Sequence, residues 1–197
     1  MRLLFRLYIF CLLLLASTAC AITPVTADHT AQSISTPDSE AVKLIAMGDQ
    51  AMQIAQKSQG VELRQVDTDL TITDFRFVDA ALTREITIVV PEQDAPTQKW
   101  VTTVNTVSPL LSFAQPAMDL HSLRLGPSRV AQAITNHWPG CSLRGITLYL
   151  EQGRLTWLAF CNTPEGVVSG SMDDETGVFQ PSSASPASIP AIATPVP

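Results

Sequence analysis

Residues 141–161, CSLRGITLYLEQGRLTWLAFC, hold the reading that decides the fold. Two runs in which apolar and polar side chains alternate meet at Glu151-Gln152-Gly153-Arg154. Alternation with period two marks strands that bury one face, and Gly153 supplies the positive φ a tight turn needs. An antiparallel hairpin follows.

Before this hairpin come Leu120, Leu123 and Leu125, and then Gly126-Pro127 leads into SRVAQAITNHW. Val130, Ile134 and Trp138 recur on one helical stripe, and Pro139-Gly140 stops the helix. After it, GVVSGSMDDETGVFQ reads as a third strand ending in an acidic turn. An earlier segment repeats the order of helix first and strands after. In PDSEAVKLIAMGDQAMQIAQKSQG, residues 37–60, Ala41, Leu44, Ile45, Gly48, Met52 and Ala55 recur every three or four residues. Thr36 is its expected N-cap, Pro37 its first residue, Asp38 and Glu40 its first-turn acids, and Gly60 its stop. Apolar alternation then resumes at Val61 and Leu63, at Leu70 and Ile72, at Phe75 and Phe77, at Ile86, Ile88 and Val90, and from Val101 to Val107. Pro91, Asp94 and Pro96 separate the last two runs, and a Pro- and Ser-rich loop from Ser108 to Pro116 closes the unit.

The fold class expected is therefore α+β, with two helix-plus-antiparallel-sheet units at 38–118 and 119–180 and an internal repeat as a hypothesis. The chain has 197 residues, 46% of them hydrophobic, with 18 acids against 12 bases for a net charge of −6. That leaves room for one or two small domains and no basic surface for nucleic acid.

Residues 1–20, MRLLFRLYIFCLLLLASTAC, place Arg2 and Arg6 before an apolar core from Leu7 to Ala16 and small residues before Cys20. This is the pattern of an export signal, shorter than the roughly 20 apolar residues a membrane span needs. Ser17-Thr18-Ala19-Cys20 resembles the lipobox of bacterial lipoproteins, although Ser17 stands where that family usually has Leu. The resemblance implies a signal peptide at 1–19 and acyl chains on Cys20 that moor the protein to the outer side of the cell membrane. Cleavage after Ala21 with plain secretion is the alternative. Without Arg2 and Arg6 the mature chain carries 10 bases against 18 acids, a net −8 that anionic headgroups repel, so attachment rests on lipid. Residues 20–37 read as a flexible tether. Residues 181–197, PSSASPASIPAIATPVP, with five prolines and no charge, read as a disordered tail, with a proline-rich recognition peptide as the alternative.

The second unit resembles the PepSY family of extracytoplasmic modules over about residues 125–180. The likeness lies in Ala131-x-Ala133-Ile134, Pro139-Gly140, Gly153, and Asp173-Asp174-Glu175-Thr176-Gly177, where the family has an Asp-x-x-Thr-Gly turn. It implies a helix packed on a curved antiparallel sheet and a binding or inhibitory role rather than catalysis. The first unit matches only in element order.

With Cys11 removed and Cys20 acylated, Cys141 and Cys161 remain, flanking the hairpin. An exported pair of this kind forms a disulfide contributing about 3 kcal/mol, and the alternative is two buried thiols. A two-residue turn at Gln152-Gly153 sets Cys161 opposite Arg144, so a bridge needs a bulge, a longer turn, or Cys141 off the strand.

Catalysis and metal binding need converging polar groups. His29, His121 and His137 form no HxH or HExxH pair, and the chain has no G-x-S-x-G, P-loop or dinucleotide glycine motif. Asp173-Asp174-Glu175 lacks calcium-loop spacing and reads as a solvated turn, with a calcium site as the alternative. Trp100, Trp138, Trp157, Phe75, Phe77 and Phe160 are expected in the core. The expectation is a non-enzymatic, lipid-anchored accessory module without catalytic residue, metal or cofactor, which binds or inhibits a protein or peptide through a sheet edge or face. The runner-up is a carrier or sensor of a small apolar ligand held between helix and sheet, and a hydrolase with an unfamiliar site is the third class.

Overall fold

A computed structural model describes residues 34–57, 60–91, 99–107 and 116–182. The expected signal peptide, Cys20, His29, most of the tether and residues 183–197 lie outside the described residues. The order is α1 (Ser39–Ala55), β1 (Val61–Thr68), β2 (Thr73–Asp79), β3 (Arg84–Val90), β4 (Val101–Thr106), a 3-10 turn at Leu120–Ser122, α2 (Pro127–His137), β5 (Ser142–Glu151), β6 (Arg154–Thr163), β7 (Gly166–Asp173) and β8 (Phe179–Pro181).

The strands form one sheet in the order β4-β3-β2-β1-β5-β6-β7-β8, with every neighbouring pair antiparallel. The two expected units share this sheet. Their junction is short: β1 meets β5 only through Val66–Leu148, Asp67–Thr147 and Thr68–Ile146. One apolar core runs across both halves, from Leu44 and Phe75 to Ile134 and Trp157. Register puts Phe75, Val66, Leu148 and Trp157 on the same face, because directly paired residues point the same way. Both helices pack there.

The start of α1 differs from the expectation of Thr36 and Pro37. Asp38 is the N-cap: its carboxylate accepts from Ala41 N–H at 2.8 Å and also from Gly126 N–H at 2.9 Å. Its own N–H donates to Arg124 O at 2.9 Å. A short acid that caps its own helix and also binds a second segment outcompetes Thr36. Glu40 in turn accepts from Ser128 N–H at 2.9 Å and Ser128 O–H at 2.7 Å, so α1 supplies the cap that Gly126 cannot provide for α2. Gly126 is needed there, since a Cβ would collide with Glu40.

Three strand expectations also change. Leu70 and Ile72 lie in the β1–β2 turn: Asp69 accepts from Thr71 N–H and Ile72 N–H, both at 2.9 Å, and Leu70 takes φ +79°. Side-chain bonds from an Asp to the following backbone make a turn that apolar alternation cannot reveal. The valines of β4 are not buried on one side; all six of its residues are exposed. Finally, Pro181 belongs to β8 and not to the tail, on a sheet edge where a missing N–H is tolerated.

The 141–161 hairpin forms as expected. Glu151 pairs with Arg154 across a two-residue turn with positive φ at both Gln152 (50°) and Gly153 (81°). This is the primed-turn geometry that matches strand twist, and glycine was its only visible sign.

Candidate functional site

Strand alternation gives the sheet a second face, and no described helix covers it. Asp67 is its centre, because it sits at the β1–β5 junction. Its Oδ1 accepts from Thr147 O–H on β5 and from the Gln65 side-chain amide, each at 2.7 Å. Its Oδ2 meets Arg76 Nε on β2 at 2.8 Å, and Arg76 Nη1 reaches Glu85 Oε1 on β3 at 3.5 Å. Glu85 is only 5% exposed and also accepts from Thr87 O–H at 3.2 Å. Four strands are thus joined by one polar network on a sheet surface. Asp74 pairs directly with Asp67 across β1 and β2, and its Oδ1 is buried without a hydrogen-bond partner. Burial pushes its carboxyl above the ordinary range, and the nearby charges of Asp67 and Asp69 add to this while Arg76 opposes it.

Beside the network, β5 and β6 present Tyr149, Leu158 and Phe160, all half-buried. Phe160 therefore leaves the expected core: it pairs with Gly145 and Ser169 on this open face. Trp157 is fully buried, whereas Trp100 and Trp138 pack against the core partly exposed. Burial, and then the charge and hydrogen bond of Glu151, push the Tyr149 hydroxyl up to about 12. It stays protonated and donates to Glu151 at 3.3 Å.

The structure brings Cys141 and Cys161 together as a disulfide, with Cα atoms 5.7 Å apart. Two of the three adjustments foreseen are used. A bulge at Arg144 moves Leu143 opposite Cys161, and Cys141 lies just before β5, its N–H bonded to Trp138 O at 3.1 Å.

The acidic turn is solvated only in part: Glu175 is exposed and Asp173 partly so, but Asp174 is not. Asp174 is 2% exposed and accepts from Arg124 N–H at 2.7 Å, Leu125 N–H at 3.0 Å and the Trp157 indole N–H at 3.1 Å. Burial still raises its carboxyl above the ordinary range, against the pull of these bonds. Asp173 shapes the turn itself by accepting from Thr176 N–H and O–H, both at 2.8 Å. The signal for Asp174 was parity, since the alternation that turns Met172 inward turns Asp174 inward too. The same parity marks Asp74 and Arg76, which alternate with the core residues Phe75 and Phe77.

His121 pairs with Asp49 at 3.4 Å on the surface, while His137 packs on Trp138 and Phe179 with ring centroids 4.4 and 5.9 Å away. Among the described residues no three His, Cys, Asp or Glu side chains are placed to hold a metal ion. A cavity of 190 Å³ opens beside α2, lined by Leu125, Arg129, Gln132, Asn136, Met172 and their neighbours. It is smaller than the roughly 300–1,000 Å³ typical of sites for drug-sized ligands.

No known family model matches the chain. No curated protein matches it either. Among solved structures it is similar to a candidate lipoprotein from Clostridium difficile 630, with 12% identity and a TM-score of 0.48, covering 75% of this chain and 92% of that one. So distant a likeness assigns neither family nor function.

Proposed function

We propose that the chain is a non-enzymatic binding module, anchored outside the cytoplasmic membrane by acyl chains on Cys20, which docks a protein partner on the open face of its sheet. The observation that carries this reading is that face itself, where half-buried Tyr149, Leu158 and Phe160 lie beside the Asp67–Arg76–Glu85 network. Tyrosine and phenylalanine are enriched at interface centres, and charges already held by neighbours need little reordering on binding. Size agrees as well. Eight strands about 4.8 Å apart and on average about seven residues long present roughly 900 Å², near the 800 Å² per partner of a standard interface.

The Cys141–Cys161 disulfide supports an oxidising compartment, and Ser17-Thr18-Ala19-Cys20 supports lipidation. The same reading takes the halves as two copies of one unit, the second of them PepSY-like. A helix followed by four strands in each half supports this, as does the mirrored strand order about β1–β5.

Affinity capture from membranes with the lipidated protein tests the docking face. A specific partner should be retained by the wild type and lost by Tyr149→Ala with Phe160→Glu at unchanged thermal stability. Retention by that double variant would refute the open face as the docking site. Palmitate labelling that follows the wild type and vanishes in Cys20→Ala is expected, and an unlabelled wild type would refute the anchor.

A further inference from the structure

The two outer strands of the sheet are finished differently. β8 has three residues and ends in Pro181, two features that stop a further strand from adding. β4 has six residues, Val101-Thr-Thr-Val-Asn-Thr106, with no charge, no proline and an unbroken register against β3. Val101 and Val104 project to opposite faces and are each 57% exposed. A long, regular, β-branched edge is a template for another strand. In a chain of net charge −6, the strand itself is neutral, so a neutral strand is the partner it accepts without opposing charge.

From this we infer that β4 is a self-association edge, on which a second copy of the chain pairs β4 with β4 antiparallel and joins two sheets into one. Two copies of one antiparallel strand are related by a two-fold axis perpendicular to the sheet, which keeps like faces on the same side. With the axis at Thr103, that residue meets its counterpart, Thr102 meets Val104, and Val101 meets Asn105. Threonine pairs and threonine–valine pairs are favourable cross-strand neighbours, and no like charges are opposed. Both exposed valines gain cover. Within the molecule the sheet is continuous across β1–β5 through three antiparallel pairs, fewer than β4 offers, although a shared core and the α1–α2 caps also join the halves there. An edge contact is small beside a standard interface, so the dimer should dissociate in the micromolar range.

Sedimentation velocity of the mature chain carrying Cys20→Ser, over about 1 to 100 μM, should show a monomer–dimer equilibrium. Thr103→Lys sets two like charges face to face at an exposed position, and should weaken the dimer about tenfold or more with unchanged thermal stability. In the same background Thr103→Cys should give a disulfide-linked dimer on non-reducing gels, while Ser171→Cys on the far half should not. A wild type monomeric throughout would overturn the inference. So would a dimer that resists Thr103→Lys, or cross-linking through residue 171 in place of 103. None of these results touches capture of a partner by Tyr149 and Phe160, so the two proposals fail separately.

Discussion

One face of the sheet lies under two helices and no described helix covers the other, although the same strands build both and Val78 is buried there against Val107. On the covered face, Phe75, Ile88, Leu148 and Trp157 are all fully buried in one dry core. On the other face, the neighbouring positions of the same strands hold Asp74, Arg76, Thr87 and Thr147, of which the last three are joined through Asp67 and Glu85. The difference teaches that stability and recognition are divided by strand parity. Residues facing the helices should be costly to change, and residues one step along should be cheap to change.

The largest effect that can break this division is at Trp157. It has no exposure and its indole is bonded to Asp174, so Trp157→Ala should cost about 3–5 kcal/mol in chemical denaturation. A cost no larger than that of an open-face variant would end the claim that the covered face carries the fold.

Asp174 comes next. Asp174→Ala would leave Arg124 N–H, Leu125 N–H and the Trp157 indole without an acceptor, and should cost about 2–3 kcal/mol. Asp174→Asn keeps an acceptor oxygen and should cost less. Because burial raises the Asp174 carboxyl above the ordinary 3.8, its protonated form is the better fit to the fold. The stability of the wild type relative to Asp174→Asn should therefore rise as pH falls through the window just above 3.8. Asp79 gives the opposite sign. Hydrogen bonds from Thr83 N–H and Arg84 N–H hold its carboxyl far below the usual range, so its contribution is present above 3.8 and lost as pH falls further. Melting temperatures of Asp79→Asn and Asp174→Asn across pH 2–6 should diverge from the wild type in opposite directions, on the order of a few degrees.

How much of this division was legible depends on how local its causes are. The 141–161 hairpin was readable because turn chemistry and alternation agree within 21 residues, and α2 because Pro127 and Pro139-Gly140 bracket its stripe. The single sheet was not readable. Among the described residues its strands join the two halves by three pairs between residues about 80 apart, and nothing in either strand announces the other. Asp38 takes the cap from Thr36 by a local bond from Ala41 N–H, and its further bond from Gly126, far along the chain, is one the sequence does not show. Buried Asp174 was written in strand parity, but its charge suggested solvent; the Asp67–Arg76 pair carries parity that sets it opposite the core without saying that its members meet. The disulfide was foreseen with its obstacle, and the bulge at Arg144 removed it.

On the open face the effects should be smaller. Arg76→Met removes the cation from Asp67 and Glu85, yet Asp67 keeps Thr147 and Gln65, and Glu85 keeps Thr87. A cost of about 1 kcal/mol is expected, near the upper end for partly exposed pairs. A loss as large as that of Trp157→Ala would move the network from recognition into the fold.

Asp74 sharpens the comparison most, with the smallest effect and a reversed sign. Its carboxylate stands opposite Asp67 with one oxygen unpartnered, and its carboxyl is raised first by burial. A raised carboxyl favours the folded state below 3.8 and loses that contribution as pH rises through its folded value. At neutral pH the charge is therefore a burden on the free protein, and Asp74→Asn should stabilise it slightly, solvent screening keeping the gain small, and the gain should fade as pH falls toward 3.8. Natural chains retain such a burden where a surface serves something other than folding. If the open face docks a partner, the stabilised Asp74→Asn variant should capture it less well than the wild type. Stabilisation with undiminished capture would place Asp74 outside the interface, and destabilisation would show that the open face, like the covered one, is built for the fold.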